Sequence, residues 1–120
     1  MEENLVGYRR LLVWKEAHEL ALMVYKVTRN FPKDELFGLT SQLRRAAVSV
    51  AANIAEGQAR SSRKEFLQFL FIANGSLVET VYYFDLVRDL GYITKKECAD
   101  LQEKRRVVGN LLHGLIRSKS

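Results

Sequence analysis

Apolar residues in this chain recur every three or four positions in four separate stretches, and nowhere do they alternate. In the first stretch Val13, Ala17, Leu20, Val24, Val27 and Phe31 step by four, three, four, three and four. That is the spacing of one helix face, whereas a half-buried strand would repeat every second residue. Trp14, Ala21 and Tyr25 widen the stripe, so this helix is expected to touch two neighbours. Pro32, the only proline, closes it, because the residue before a proline is pushed out of the α region. The first helix is therefore placed at about 12–30.

The remaining three stretches follow the same logic. Leu39, Leu43, Ala46, Ala47, Val50 and Ile54 form the buried face of a helix at about 39–59, with Gly57 suited to a left-handed residue past its end. Ser62 followed by Glu65 is a capping-box pattern opening a third helix at about 63–90. Phe66, Leu70, Ala73, Leu77, Val81 and Phe84 are its expected core residues. Asn74-Gly75 is a common turn pair, but the apolar phase passes through it without slipping, so the helix is expected to continue. Gly75 would let a neighbouring helix approach. Gly91 ends this helix, and Thr94 with Glu97 caps a fourth at about 95–117, striped by Cys98, Leu101, Val108, Leu112 and Leu115. Four helices with short connections give an all-α, antiparallel up-down-up-down four-helix bundle spanning one domain, 1–120.

The 120 residues are enough to bury a core without disulfides or metals. A lone Cys98 excludes an internal disulfide and fits a reducing compartment. The start, MEENLVGYRR, is acidic and lacks the apolar run of a signal peptide; it reads as a short arm ending at Arg9 and Arg10. No apolar span reaches membrane length. The expected location is the cytoplasm, with no membrane contact.

Catalytic patterns fail one by one. His18-Glu19 starts like a zinc-protease helix, but Leu22 stands where the second histidine is required. His113 has no Glu three residues before it, so the di-iron bundle pattern is missing too. Cys98 has no CxxC partner and lies on an apolar stripe. The expectation is a protein that is not an enzyme, with no catalytic residues, no metal and no cofactor.

Charge gives the positive signal. Nineteen basic residues against fourteen acidic leave a net +5, which favours anionic partners. Arg60, Arg63 and Lys64 cluster at the turn between the second and third helices, Arg44 and Arg45 pair in mid-helix, and Lys104, Arg105 and Arg106 form a run in the fourth helix. These eight are the candidate nucleic-acid contacts, directed at phosphates because no aromatic interleaving suited to base stacking accompanies them. Asn53, Glu56 and Glu79 are polar groups expected to fix helix register, Glu56 by pairing with Arg60 four residues on and Glu79 by pairing with Arg44 or Arg45. The other reading is a protein-interaction or self-assembly scaffold with no nucleic-acid ligand.

Several segments together resemble a known family. Val13-Trp14-Lys15 with Ala17-His18, Phe31-Pro32, Phe37-Gly38-Leu39, Ser41 to Ala46, Asn53-Ile54-Ala55-Glu56-Gly57 and Lys64-Glu65-Phe66 leading to Gly75-Ser76-Leu77 are similar to the bacterial four-helix-bundle proteins encoded in intervening sequences of 23S ribosomal RNA genes. One departure is Ala51, where that family typically has a proline, so the second helix is expected to be straighter here. The resemblance implies a homo-oligomeric ring, a homopentamer, without catalytic activity. Through related accessory proteins of diversity-generating retroelements it also implies RNA or DNA and a reverse transcriptase as partners.

Overall fold

The computed structural model describes residues 7–120. The first six residues of the expected N-terminal arm, and the side chains of Arg9 and Arg10, lie outside the described residues. After a 3-10 turn at Gly7–Arg10, four helices follow: α1 (Leu12–Thr28), α2 (Leu39–Gln58), α3 (Arg63–Asp89) and α4 (Lys95–Lys119), with a second 3-10 turn at Lys33–Glu35. No strand occurs among the described residues. Each helix packs against its neighbours in sequence, and α1 closes on α4, while the diagonal pairs α1–α3 and α2–α4 stay apart. The molecule is a four-helix bundle.

The helix ends follow from local chemistry. α1 stops at Thr28 rather than Asn30, because Phe31 N–H turns back to the Thr28 carbonyl at 3.1 Å as the chain prepares for Pro32. α2 runs unbroken through Ala51, which is buried. At the start of α3 only half of the expected capping box forms. Glu65 N–H donates to Ser62 Oγ at 3.1 Å, but the Glu65 carboxylate accepts from that same hydroxyl at 3.3 Å instead of from the Ser62 backbone. The box at α4 is complete, with Thr94 Oγ1 accepting from Glu97 N–H at 3.0 Å and Glu97 Oε1 accepting from Thr94 N–H at 2.8 Å. α3 ends in a Schellman turn: Tyr92 N–H reaches the Val87 carbonyl at 2.9 Å, with Gly91 at φ 79°.

Two glycines depart from the roles the sequence suggests. Gly57 does not adopt a left-handed conformation; it lies inside α2, where a Cβ would sit 2.8 Å from Phe69 Cβ and 2.9 Å from Phe66 Cδ1. Its bareness lets α2 and α3 meet. Gly75 has no atom within 4 Å of where its Cβ would stand, so no helix approaches it. Because Gly in a helix interior costs conformational entropy without return here, Gly75→Ala is expected to stabilise the fold by about 0.5–1 kcal/mol, seen as a higher urea midpoint.

The core is continuous from Val13 to Leu112 and draws on all four helices. Along α3 the buried position is Thr80 rather than Val81. Thr80 meets the apolar interior because its hydroxyl is satisfied locally, donating to the Leu77 carbonyl at 2.6 Å. Val81 stands half-exposed, and its carbonyl accepts from Gln102 Nε2 at 3.1 Å.

Candidate nucleic-acid interface

Charge is distributed unevenly along the bundle. Lys119 of α4 lines the same surface grooves as Arg60, Arg63 and Lys64, so the last turn of α4 stands beside the α2–α3 connection. Arg117, also in the last turn of α4, lies two residues from Lys119 and so on the other side of that helix, and it lines neither groove. The acidic residues in these segments are Glu56 and Glu65. Arg60 Nη2 pairs with Glu56 Oε2 at 2.9 Å, the four-residue spacing expected, and its guanidinium lies 4.8 Å from the Phe69 ring centre. Among the described residues, Arg63, Lys64, Arg117 and Lys119 form no ion pair. Four unpaired cations therefore share one end of the bundle.

The opposite end differs. Phe31 and Tyr92 rings lie 5.3 Å apart, and Tyr92 OH donates to Glu35 Oε2 at 2.8 Å, so the α1–α2 and α3–α4 connections meet there. Its basic residues are matched in number by acidic ones, although among the described residues Lys26, Arg29, Lys33 and Lys95 form no ion pair there either. Arg88 pairs with Asp89 at 3.0 Å and Asp85 at 3.4 Å, and Lys96 pairs with Asp100 at 3.2 Å.

The other basic candidates are engaged elsewhere. Arg44 donates from Nε to Thr28 Oγ1 at 2.8 Å and lies 4.6 Å from the Tyr25 ring centre, so it joins α2 to α1. Arg45 is exposed at the mouth of grooves shared with Phe37 and Val48 on one side and Glu79 on the other, without an ion pair. Lys104 bridges from α4 to α1, donating to Glu16 Oε1 at 2.8 Å and Glu19 Oε1 at 2.9 Å. Arg105 reaches Gln102 Oε1 at 3.5 Å, and Arg106 grips Glu103 and holds its carboxyl below the ordinary value. The run Lys104–Arg106 thus lies in mid-helix, mostly paired, and does not join the basic end.

Lys104 carries a pH prediction. Hydrogen bonds to Glu16 and then Glu19 hold its ammonium above the ordinary lysine value. A group whose folded pKa is raised contributes stability that is complete below the unfolded value, about 10.4, and is lost as pH rises through the folded value. Urea midpoints measured from pH 9 to 11.5 are expected to fall further for the wild type than for Lys104→Met.

The polar residues of α2 and α3 are tied locally. Asn53 Nδ2 donates to the Ser49 carbonyl at 2.8 Å and to Ser49 Oγ at 2.9 Å, and the Ser49 and Ser76 hydroxyls meet at 2.8 Å across α2 and α3. Glu79 pairs with neither Arg44 nor Arg45; it accepts from Tyr83 OH at 3.1 Å. Asp85 accepts from Gln102 at 3.2 Å. Thr40 Oγ1 is buried without a partner. Among the described residues Phe37 is the most exposed large apolar side chain, at 94%, and lies beside Leu36, Val48 and Tyr25.

Elsewhere two of the reactive side chains are engaged, while His113 is exposed. His18 stacks on Trp14 at 5.1 Å, and Cys98 is buried with its S–H directed at the Phe84 carbonyl at 3.6 Å. Burial pushes the Cys98 thiol up. Among the described residues no cluster of His, Cys, Asp and Glu is placed to hold a metal, and no helix is long and apolar enough to cross a membrane.

The sequence groups Arg60, Arg63 and Lys64 at the α2–α3 turn but does not bring Lys119 beside them. A helix drawn only to residue 117 leaves Lys119 out, and only the packing of α4 against α3 brings it to the turn.

The family model of the 23S rRNA-intervening sequence proteins matches residues 9–114. A similar solved structure is that of a protein of unknown function from the S23 ribosomal protein family of Bacteroides thetaiotaomicron. It is 28% identical, with a TM-score of 0.78, over 88% of this chain and 98% of that one. No curated protein is matched by the sequence.

Proposed function

The chain belongs to the 23S rRNA-intervening sequence protein family, and we propose that it is a non-enzymatic, homo-oligomeric four-helix bundle that binds the RNA or DNA backbone. The observation that carries this reading is the basic end, where Arg63, Lys64 and Lys119 line one groove without an ion pair among the described residues and only Glu56 and Glu65 oppose them, while at the opposite end acidic residues match the basic ones in number. Cations that line one groove, as Arg63, Lys64 and Lys119 do, act together on a phosphate chain, and each contact made releases counterions. The helices run up-down-up-down, antiparallel, as the short connections favour. That puts the α2–α3 turn and the end of α4 on one outer surface, and a cytoplasmic ring of subunits would repeat it.

Self-assembly has its own support. Phe37 at 94% exposure, with Leu36 at 49% and Val48 at 41% beside it, is an apolar edge that a second copy would cover. The pentameric state and a reverse transcriptase partner come from the family resemblance and belong to the same proposal. Light scattering is expected to give a mass several times the 13.8 kDa of the chain, lowered by Phe37→Asp; a monomeric mass would overturn the assembly. Fluorescence anisotropy against a structured RNA at low salt is expected to show binding that weakens as salt rises. An oligomer without such binding would favour the scaffold reading, in which the apolar edge is the functional surface.

A further inference from the structure

The basic end also holds an open groove of about 700 Å³, lined by Arg63, Lys64, Leu67, Gln68, Phe71 and Lys119 together with Ser120. Its volume lies within the roughly 300–1,000 Å³ of small-molecule sites. Phe71 is 57% exposed, so the ring of a large aromatic residue faces solvent beside three cations that form no ion pair among the described residues. Neighbouring Phe66, by contrast, is buried.

We propose that this groove seats one unpaired nucleotide of a single strand, its base laid on the Phe71 ring and its flanking phosphates held by Arg63, Lys64 and Lys119. The inference rests on the phosphate-binding reading above and specifies the ligand at that same end. Lys64 and Phe71 are seven residues apart on α3, about 10 Å along the axis, and helical side chains lean toward the N-terminus. The Phe71 ring lines the same groove as those cations. Every base offers a π face, so a stacking platform beside a cationic track accepts any unpaired base. Gln68 adds an amide that donates and accepts hydrogen bonds at the edge of such a base. In a duplex the base faces are covered by their stacked neighbours, and only the phosphates remain to be held.

Anisotropy titrations of the full chain with a labelled single-stranded RNA and a blunt duplex RNA of equal length separate the contributions. Phe71→Ala is expected to weaken single-strand binding about tenfold and leave duplex binding unchanged, and Phe71→Tyr is expected to restore it. Circular dichroism of the variants controls for folding. Equal loss for both ligands, or no loss for the single strand, overturns the nucleotide seat while the phosphate-binding reading stands. Absence of binding to both RNAs by the wild type at low salt overturns the two together.

Discussion

Phe84→Ala is expected to cost about 3–5 kcal/mol, the usual range for emptying a buried aromatic site. Phe84 is the largest side chain with no exposure, at 0%. It lies in the last third of α3, where its own carbonyl receives the Cys98 S–H at 3.6 Å, so α4 is seated against this turn. Truncation leaves a cavity between helices that the other side chains fill only in part. Against a total stability of about 5–15 kcal/mol for a domain, that loss takes a large share. The check is a urea titration with a lower midpoint and an unchanged slope. Phe84→Leu, which keeps most of the volume, is expected to cost less than about 1.5 kcal/mol.

Gly57→Val carries the second large effect, and it connects packing with the basic end. A Cβ at this position meets Phe69 Cβ at 2.8 Å and Phe66 Cδ1 at 2.9 Å. Phe69 Cβ is fixed to its backbone and cannot turn away, while the Phe66 ring is itself buried. The helices must separate at the α2–α3 turn, at a cost of about 1–3 kcal/mol. Arg60, which stacks on Phe69 at 4.8 Å and pairs with Glu56, moves with them. The expected result is a lower urea midpoint together with weaker RNA binding at a temperature where the variant remains folded. Gly75→Ala, the same kind of change on an open helix face, is the contrast.

Most of the fold is written in local periodicity. Each helix end falls within two residues of its expected place, because Pro32, Ser62, Gly91 and Thr94 act on their own neighbours. What the sequence conceals are choices made by packing. A hydroxyl at Thr80 reads as polar until the Leu77 carbonyl accepts from it. Gly57 and Gly75 look alike as letters; only the approach of Phe66 and Phe69 distinguishes them. Lys104 belongs to a basic run in sequence and to Glu16 and Glu19 in space, a pairing across 88 and 85 residues that no period reveals. The candidate site is affected in the same way. Its turn residues are adjacent in the chain, whereas Lys119 reaches them only when α4 runs to its full length.

If phosphate binding belongs to one end of the bundle, the salt dependence of RNA affinity in two triple variants will show it. In Arg63→Ala/Lys64→Ala/Lys119→Ala, the slope of log affinity against log salt is expected to fall by about 0.7–0.9 for each phosphate contact removed. In Lys95→Ala/Lys96→Ala/Arg106→Ala, which removes the same charge elsewhere, the slope is expected to stay at the wild-type value. Equal losses in the two variants would contradict a localised interface and leave net charge alone as the cause of binding.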